Sequence, residues 1–215
     1  MHLKRQEVPK SWPIYRKGTK YVVRPEFDAQ RGVPFLIVLR DMLKIVQNRK
    51  EAKRAIHLRQ VLMNNKQVSD EKNSVTLFDT VTILPSKKHY RMDLLDGGKF
   101  SLTEIKEGEA NHKIVKLTNK KTLKGKKIQL NCEDGMNFIS DMRCNVNDSV
   151  LVNFKEKKVE KCIPLREGSE VFVFSGKHSG KSGFLKKMYK EKGISEIDIE
   201  GKTISVLIKQ FMTIK

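Results

Sequence analysis

The chain has 215 residues, with 44 Lys and Arg against 25 Asp and Glu, for a formal net charge of +19. Its 38% hydrophobic content suffices to bury cores, which excludes a wholly disordered basic tail. No apolar run approaches the roughly 18–20 residues of a membrane span, and the three widely spaced cysteines, Cys132, Cys144 and Cys162, exclude a disulfide framework or a CxxC zinc pair.

The positive charge is distributed along the chain. It is net +5 over residues 1–32, +6 over 33–90, +4 over 91–165 and +4 over 166–215. A chain that is basic in every segment is expected to face a polyanion along its whole length, and nucleic acid is the expected partner. The opening residues lack the apolar core of a secretory signal, so a cytoplasmic protein is expected.

Residues 1–33 show neither helical nor strand periodicity. Pro9, Pro13 and Pro25 punctuate them, and Lys4, Arg5, Lys10, Arg16, Lys17, Lys20 and Arg24 supply charge between aromatic Trp12, Tyr15 and Tyr21. The segment is expected to be an extended basic arm, mobile when alone. Its lysines and arginines suit phosphates; its aromatics suit either stacking on bases or packing on the protein itself.

From Pro34 the pattern becomes helical. Leu36, Leu39, Leu43 and Val46 predict one buried face, with Arg40 and Lys44 on another. Asn48 is a candidate N-cap for a second helix beginning at Arg49. On that helix Lys50, Lys53, Arg54 and His57 recur at i, i+3, i+4 and i+7 and form one cationic face, while Ala52, Ala55 and Ile56 turn inward. Arg59 follows it. Val61–Met63 and Gln67–Val68, joined by Asn64-Asn65, predict a hairpin, and further strands are expected at 75–77 and 80–84. Beyond Ser86 short strands follow one another at roughly ten-residue spacing. Lys120, Lys121, Lys124, Lys126 and Lys127 form a basic cluster with no acid inside it, suited to phosphate or to plain solvation.

Gly176-Lys177-His178-Ser179-Gly180-Lys181-Ser182 imitates a nucleotide-binding P-loop. It has three residues where that loop needs four, and Gly183 onward reads as a strand rather than the required helix, so it is not read as one. The alternation of Val171, Val173, Gly176, Gly180, Gly183 and Leu185 instead resembles the KOW motif of SH3-like barrels. Lys177, His178 and Lys181 then lie on a turn suited to RNA. The unit at 34–89 resembles the S4-type RNA-binding module, through Leu39-Arg40-Asp41-Met42-Leu43, Arg49 to Ile56, Val61 to Val68 and Asp79-Thr80-Val81. It departs from the module's usual pattern before its first strand, where Leu58-Arg59-Gln60 stands in place of a glycine.

His2-Leu3-Lys4-Arg5, Pro9-Lys10 and Trp12 open the chain. The helical module, a β-rich middle running through Asp148-Ser149-Val150 and Ile163-Pro164-Leu165, and the KOW-like segment follow. In this order they resemble the S4e family of archaeal and eukaryotic small-subunit ribosomal proteins. The resemblance implies an α+β chain of four parts: a basic arm (1–33), an S4-type module (34–89), a central β domain (90–166) and a KOW barrel (167–215). It implies a structural, rRNA-binding role in subunit assembly, with small-subunit rRNA and neighbouring ribosomal proteins as partners, and no membrane, small-molecule substrate or cofactor. A free RNA-binding regulator or transcription-elongation factor using the KOW barrel is the alternative. Enzymatic function is not expected. The five histidines are scattered, no HExxH or GxSxG occurs, and the 90–166 segment is too short to hold a modification enzyme's catalytic domain.

Overall fold

A computed structural model of the chain describes residues 2–189 and 191–214, the side chain of Lys126 excepted. The fold is mostly β with few helices, in two compact units: Met1–Leu95 with Lys99–Asn111, and Asp96–Gly98 with His112–Lys215.

In the first unit the basic arm is folded rather than loose. Its strand β1 (Leu3–Lys4) pairs antiparallel with β2 (Tyr21–Val22). Arg5 closes the intervening loop: Nε donates to the Thr19 carbonyl at 2.7 Å, and its two Nη atoms to the Tyr15 carbonyl and Thr19 Oγ1, both at 2.8 Å. Val8 and Trp12 are buried, and the Ser11 carbonyl accepts the Phe100 amide at 2.9 Å. Two buried side chains and a satisfied guanidinium thus replace the mobility expected from the proline spacing.

β3 (Gly32–Pro34) leads into α1, which is α-helical over Phe35–Ile37 and continues as a π-helix over Val38–Met42. The sequence pattern predicts a longer, one-sided helix here. Instead every residue from Gly32 to Leu39 is buried, so the segment has no solvent face to alternate with, and the amide of Leu43 bonds back to the Val38 carbonyl at 3.0 Å. Lys44, at φ 54, ends it. Then come α2 (Arg49–His57), β4 (Val61–Met63), β5 (Lys66–Gln67), β6 (Ser74–Thr76), β7 (Thr80–Ile83), β8 (Lys88–Leu95) and β9 (Lys99–Ile105). The Asn64-Asn65 turn between β4 and β5 takes the left-handed conformation expected of it.

β6 pairs with β3, and the other strands form an antiparallel sheet in the order β5-β4-β7-β8-β9. The boundary expected at 89/90 therefore falls inside β8, which pairs with β7 from Lys88 opposite Ile83 to Arg91 opposite Thr80. A short turn makes these two strands spatial neighbours, so β8 and β9 complete the sheet of the helical module.

The second unit holds β10 (His112–Thr122), β11 (Ile128–Cys132), β12 (Asn137–Ile139), β13 (Ser149–Asn153) and β14 (Lys158–Ile163), in the order β12-β11-β10-β13-β14. Val115, Leu117, Leu130, Val150, Val152 and Phe154 build its core. A register shift between Leu117 and Asn119 carries β10 out of that core, and its last five residues are exposed. A second antiparallel sheet follows: β15 (Glu170–Val173), β16 (Ser182–Tyr189), β17 (Ile194–Ile199), β18 (Lys202–Leu207) and β19 (Phe211–Thr213), ordered β18-β17-β16-β15-β19. The sequence pattern does not predict β19, because three residues are too few to show alternation.

Lys116 on β10 links the two sheets from inside the unit. It is 4% exposed; its Nζ donates to the carbonyls of Ile208 and, at 2.8 Å, Phe211, and lies 5.6 and 5.8 Å from the ring centroids of Phe211 and Phe174. Gly183 on β16 is required for a different reason. A Cβ there would lie 2.3 Å from the carbonyl oxygen of Asp198 on β17. The close approach is to the protein's own neighbouring strand. Gly183→Ala is therefore expected to cost about 2–3 kcal/mol of stability, whereas at Gly108 an added Cβ meets nothing within 4 Å. Paired thermal melts of the two alanine variants check this; equal melting temperatures would refute it.

Candidate nucleic-acid interface

α2 is built to hold a cationic face. Asn48 caps it, with Oδ1 accepting the Glu51 amide at 3.0 Å, while the Glu51 carboxylate accepts from Asn48 Nδ2 at 2.8 Å and the Gln47 amide at 2.7 Å. Ala52 and Ile56 are buried and fix its rotation. The helical period then places Lys50, Lys53, Arg54 and His57 in solvent. Arg54 and His57 sit in the last turn, where the helix dipole favours positive charge.

A buried carboxylate braces this helix from below. Glu71 is 2% exposed and accepts from Arg49 Nε at 2.8 Å and from Arg49 Nη2; Lys53 Nζ lies 3.8 Å away. Burial by itself would raise the Glu71 carboxyl. Hydrogen bonding with Asp70, with Arg49 and with its own backbone outweighs burial and holds it at about 2, against an ordinary 4.5. A carboxyl depressed in this way contributes stability above pH 4.5 and loses that contribution as pH falls toward 2. We expect the wild type to lose on the order of 2–3 kcal/mol across this window that Glu71→Gln does not lose. Urea unfolding at pH 5 and pH 2.5 measures the difference, and parallel curves would refute the assignment. Glu71 escaped sequence reasoning because it lies 22 residues from Arg49 and carries no local pattern.

The other expected residues fall into distinct surroundings. Arg40 is half-buried, with Nε 3.2 Å and Nη2 2.9 Å from Asp41 Oδ2. Lys44 and Arg59 are exposed at positive φ, one after each helix. In the arm, Lys4, Lys10, Arg16, Lys17, Lys20 and Arg24 are exposed, whereas Arg5 is half-buried and occupied by loop carbonyls. Trp12 is a correction. It is 3% exposed, and its indole Nε1 donates to the Ala29 carbonyl at 3.0 Å, so its ring anchors the arm and offers no face to a base. Tyr15 and Tyr21 do offer faces, at 90% and 48% exposure.

In the second unit the expected basic loop is the end of the β10–β11 hairpin. Lys120 and Lys121 pair in register with Leu130 and Gln129, and Lys121, Lys124 and Lys127 are exposed. Lys120 donates to the Cys144 carbonyl at 3.1 Å, so part of its charge is spent on holding the hairpin. The Lys126 side chain lies outside the described residues. Lys177 is exposed on the turn between β15 and β16, with His178 and Lys181 half-buried beside it, and Ser179 Oγ donates to the Phe174 carbonyl at 3.0 Å. The cysteines behave as small apolar side chains. Burial first, then Asp134, pushes the Cys132 thiol up to about 12; burial first, then Cys144 and Asp148, does the same to Cys162.

What this arrangement offers chemically is charge and stacking surface: a capped cationic helix, a basic arm with two exposed tyrosines, and a lysine-rich hairpin end. The family model described as ribosomal family S4e matches residues 86–159, and that of the RS4NT (NUC023) domain matches residues 1–27. The chain is 39% identical over 190 residues to the small ribosomal subunit protein eS4 of Methanocella arvoryzae, covering 87% of this chain and 80% of that one. It is 36% identical over 187 residues to the eS4 of Methanospirillum hungatei, covering 85% and 78%. The crystal structure of the 30S ribosomal protein S4e from Thermoplasma acidophilum superposes with a TM-score of 0.73 at 25% identity, covering 86% of this chain and 95% of that one.

Proposed function

We infer the role of this chain from a plain premise: it belongs to the ribosomal family S4e. It is a structural constituent of the small ribosomal subunit and not an enzyme. Its partners are rRNA and other ribosomal proteins.

The finer reading is ours. The α2 face Lys50, Lys53, Arg54 and His57 tracks rRNA phosphates, the arm contributes Lys4, Lys10, Arg16, Lys17, Lys20 and Arg24, and the hairpin end adds Lys121, Lys124 and Lys127. We read α1, α2 and the sheet β5-β4-β7-β8-β9 as the S4-type module, and β15 to β19 as the KOW barrel with Lys177 and His178 on its exposed turn. Binding is multi-point phosphate neutralisation with shape readout, with no covalent chemistry. The observation that carries this reading is α2 itself. Arg49, Lys50, Lys53 and Arg54 crowd like charge onto a short, capped helix, and the fold adds a buried carboxylate against Arg49 and Lys53 instead of dispersing them. Such an arrangement suits a surface whose partner supplies the remaining negative charge.

Sedimentation of a cell lysate through a sucrose gradient tests it in the ribosome of the cytoplasm. The protein is expected with small subunits, ribosomes and polysomes, and to stay there through moderate salt. Recovery in the light fractions alone would refute the reading and leave a free RNA-binding protein.

A further inference from the structure

Beside the arm, in the first unit, lies a cleft of about 570 Å³, walled by β1, β2 and the chain after it, the start of α1, and Arg49. That volume is within the roughly 300–1,000 Å³ of small-ligand sites. It admits one nucleotide and excludes a duplex. Two kinds of group line it. Arg5, Arg24, Arg40, Arg49 and Lys72 are cationic, against Glu26 as the one carboxylate on the wall. His2 and Tyr21 are aromatic, with centroids 5.2 Å apart and planes at 44°, a tilted contact pair that is exposed at the wall.

The cations are held from outside the cleft. Asp41 takes Nε and Nη2 of Arg40, and Glu71 takes Nε and Nη2 of Arg49, which leaves the Nη1 edge of each guanidinium for a ligand. Asp70 lies 3.8 Å from Lys72. Oriented, charge-paired guanidiniums bind phosphate with little ordering cost, because their forks are already fixed. Behind them Leu36 and Ile37 are fully buried and anchor the start of α1. Lys20 Nζ lies over the Tyr21 ring, 5.4 Å from its centroid.

Phosphate-binding forks beside an exposed aromatic pair together match a nucleotide and not a bare anion. We propose that this cleft captures a single unpaired nucleotide extruded from structured RNA, its base on Tyr21 and His2 and its phosphate on Arg40 and Arg49. The proposal rests on the RNA-binding reading above and deepens it. Base-on-aromatic stacking is the recurring way proteins hold splayed-out RNA bases.

The test uses the full chain and three labelled RNA hairpins, identical except at one stem position: one unpaired adenosine, an abasic residue there, or full pairing. The adenosine bulge is expected to bind about tenfold tighter than the abasic one. Tyr21→Ala should erase that preference by bringing the adenosine bulge down to the affinity of the abasic hairpin, while Tyr21→Phe retains it. Equal affinity for bulged and abasic hairpins would overturn the cleft's role, as would a Tyr21→Ala loss that is the same on all three. Failure to bind any of the three would overturn RNA binding itself, a different result from uniform binding without preference.

Discussion

The double variant Lys53→Glu, Arg54→Glu is expected to bind small-subunit rRNA about 50- to 100-fold more weakly than the wild type near 0.1 M salt. Each phosphate contact releases close to one counterion, which at that salt is worth about eightfold, and reversal adds repulsion to the loss of two contacts. The slope of log affinity against log salt should fall by about 1.5–2. Both side chains are exposed, so the fold is expected to survive. Arg49 continues to neutralise Glu71 when Lys53 is gone. Filter binding across a salt series, with circular dichroism as the folding control, decides the matter. Unchanged affinity in a folded variant would remove α2 from the interface.

The second large effect is expected at Lys116. Lys116→Ala removes the donor that two buried carbonyls share and leaves a void between two sheets, at a cost of about 3–5 kcal/mol. The lysine also has a pH signature. Burial lowers it from 10.5 to about 8, and the charge of Glu133 opposes this only in part. A lysine depressed in the fold stabilises it most when neutral. Its contribution is complete above pH 10.5 and is lost as pH falls to 8. The wild type is therefore expected to gain on the order of 3 kcal/mol relative to Lys116→Met between pH 7.5 and pH 10.5. Urea titrations of both proteins at the two pH values measure it. A constant difference would mean that Lys116 keeps its ordinary protonation in the fold.

Much of the framework of the candidate site is legible in the chain. α2 could be located from Asn48, the apolar pair Ala52 and Ile56, and the cationic spacing, because helical period and capping are local properties. Nearly all strands after Ser86 could be located from alternation and turn residues, for the same reason. What failed had non-local causes. The arm looked mobile because nothing within residues 1–33 reveals that Trp12 finds the Ala29 carbonyl or that Ser11 bonds to Phe100. The helix at Phe35 is shorter than its apolar spacing predicts because burial on all sides removes the polar stripe that marks a helix's length. The expected boundary at 89/90 falls inside β8 because pairing partners, not composition, decide where a sheet ends.

By itself, then, the sequence determined the partner class, the cationic helix and the β-rich plan, since net charge, spacing and alternation are summed or short-range quantities. Tertiary structure alone decided which basic residues face outward and which hold the protein together. Arg5 and Lys120 are expected phosphate contacts and Lys116 carries no mark in the chain, yet loop carbonyls, a hairpin contact and buried carbonyls engage them in the fold. Trp12, an expected stacking surface, became an anchor, and Glu71, unmarked in the chain, became the brace of α2. The physical reason is common to all five. A polar group's role depends on what lies within hydrogen-bonding reach and how much water is excluded, and chain folding brings those neighbours from as many as 95 residues away.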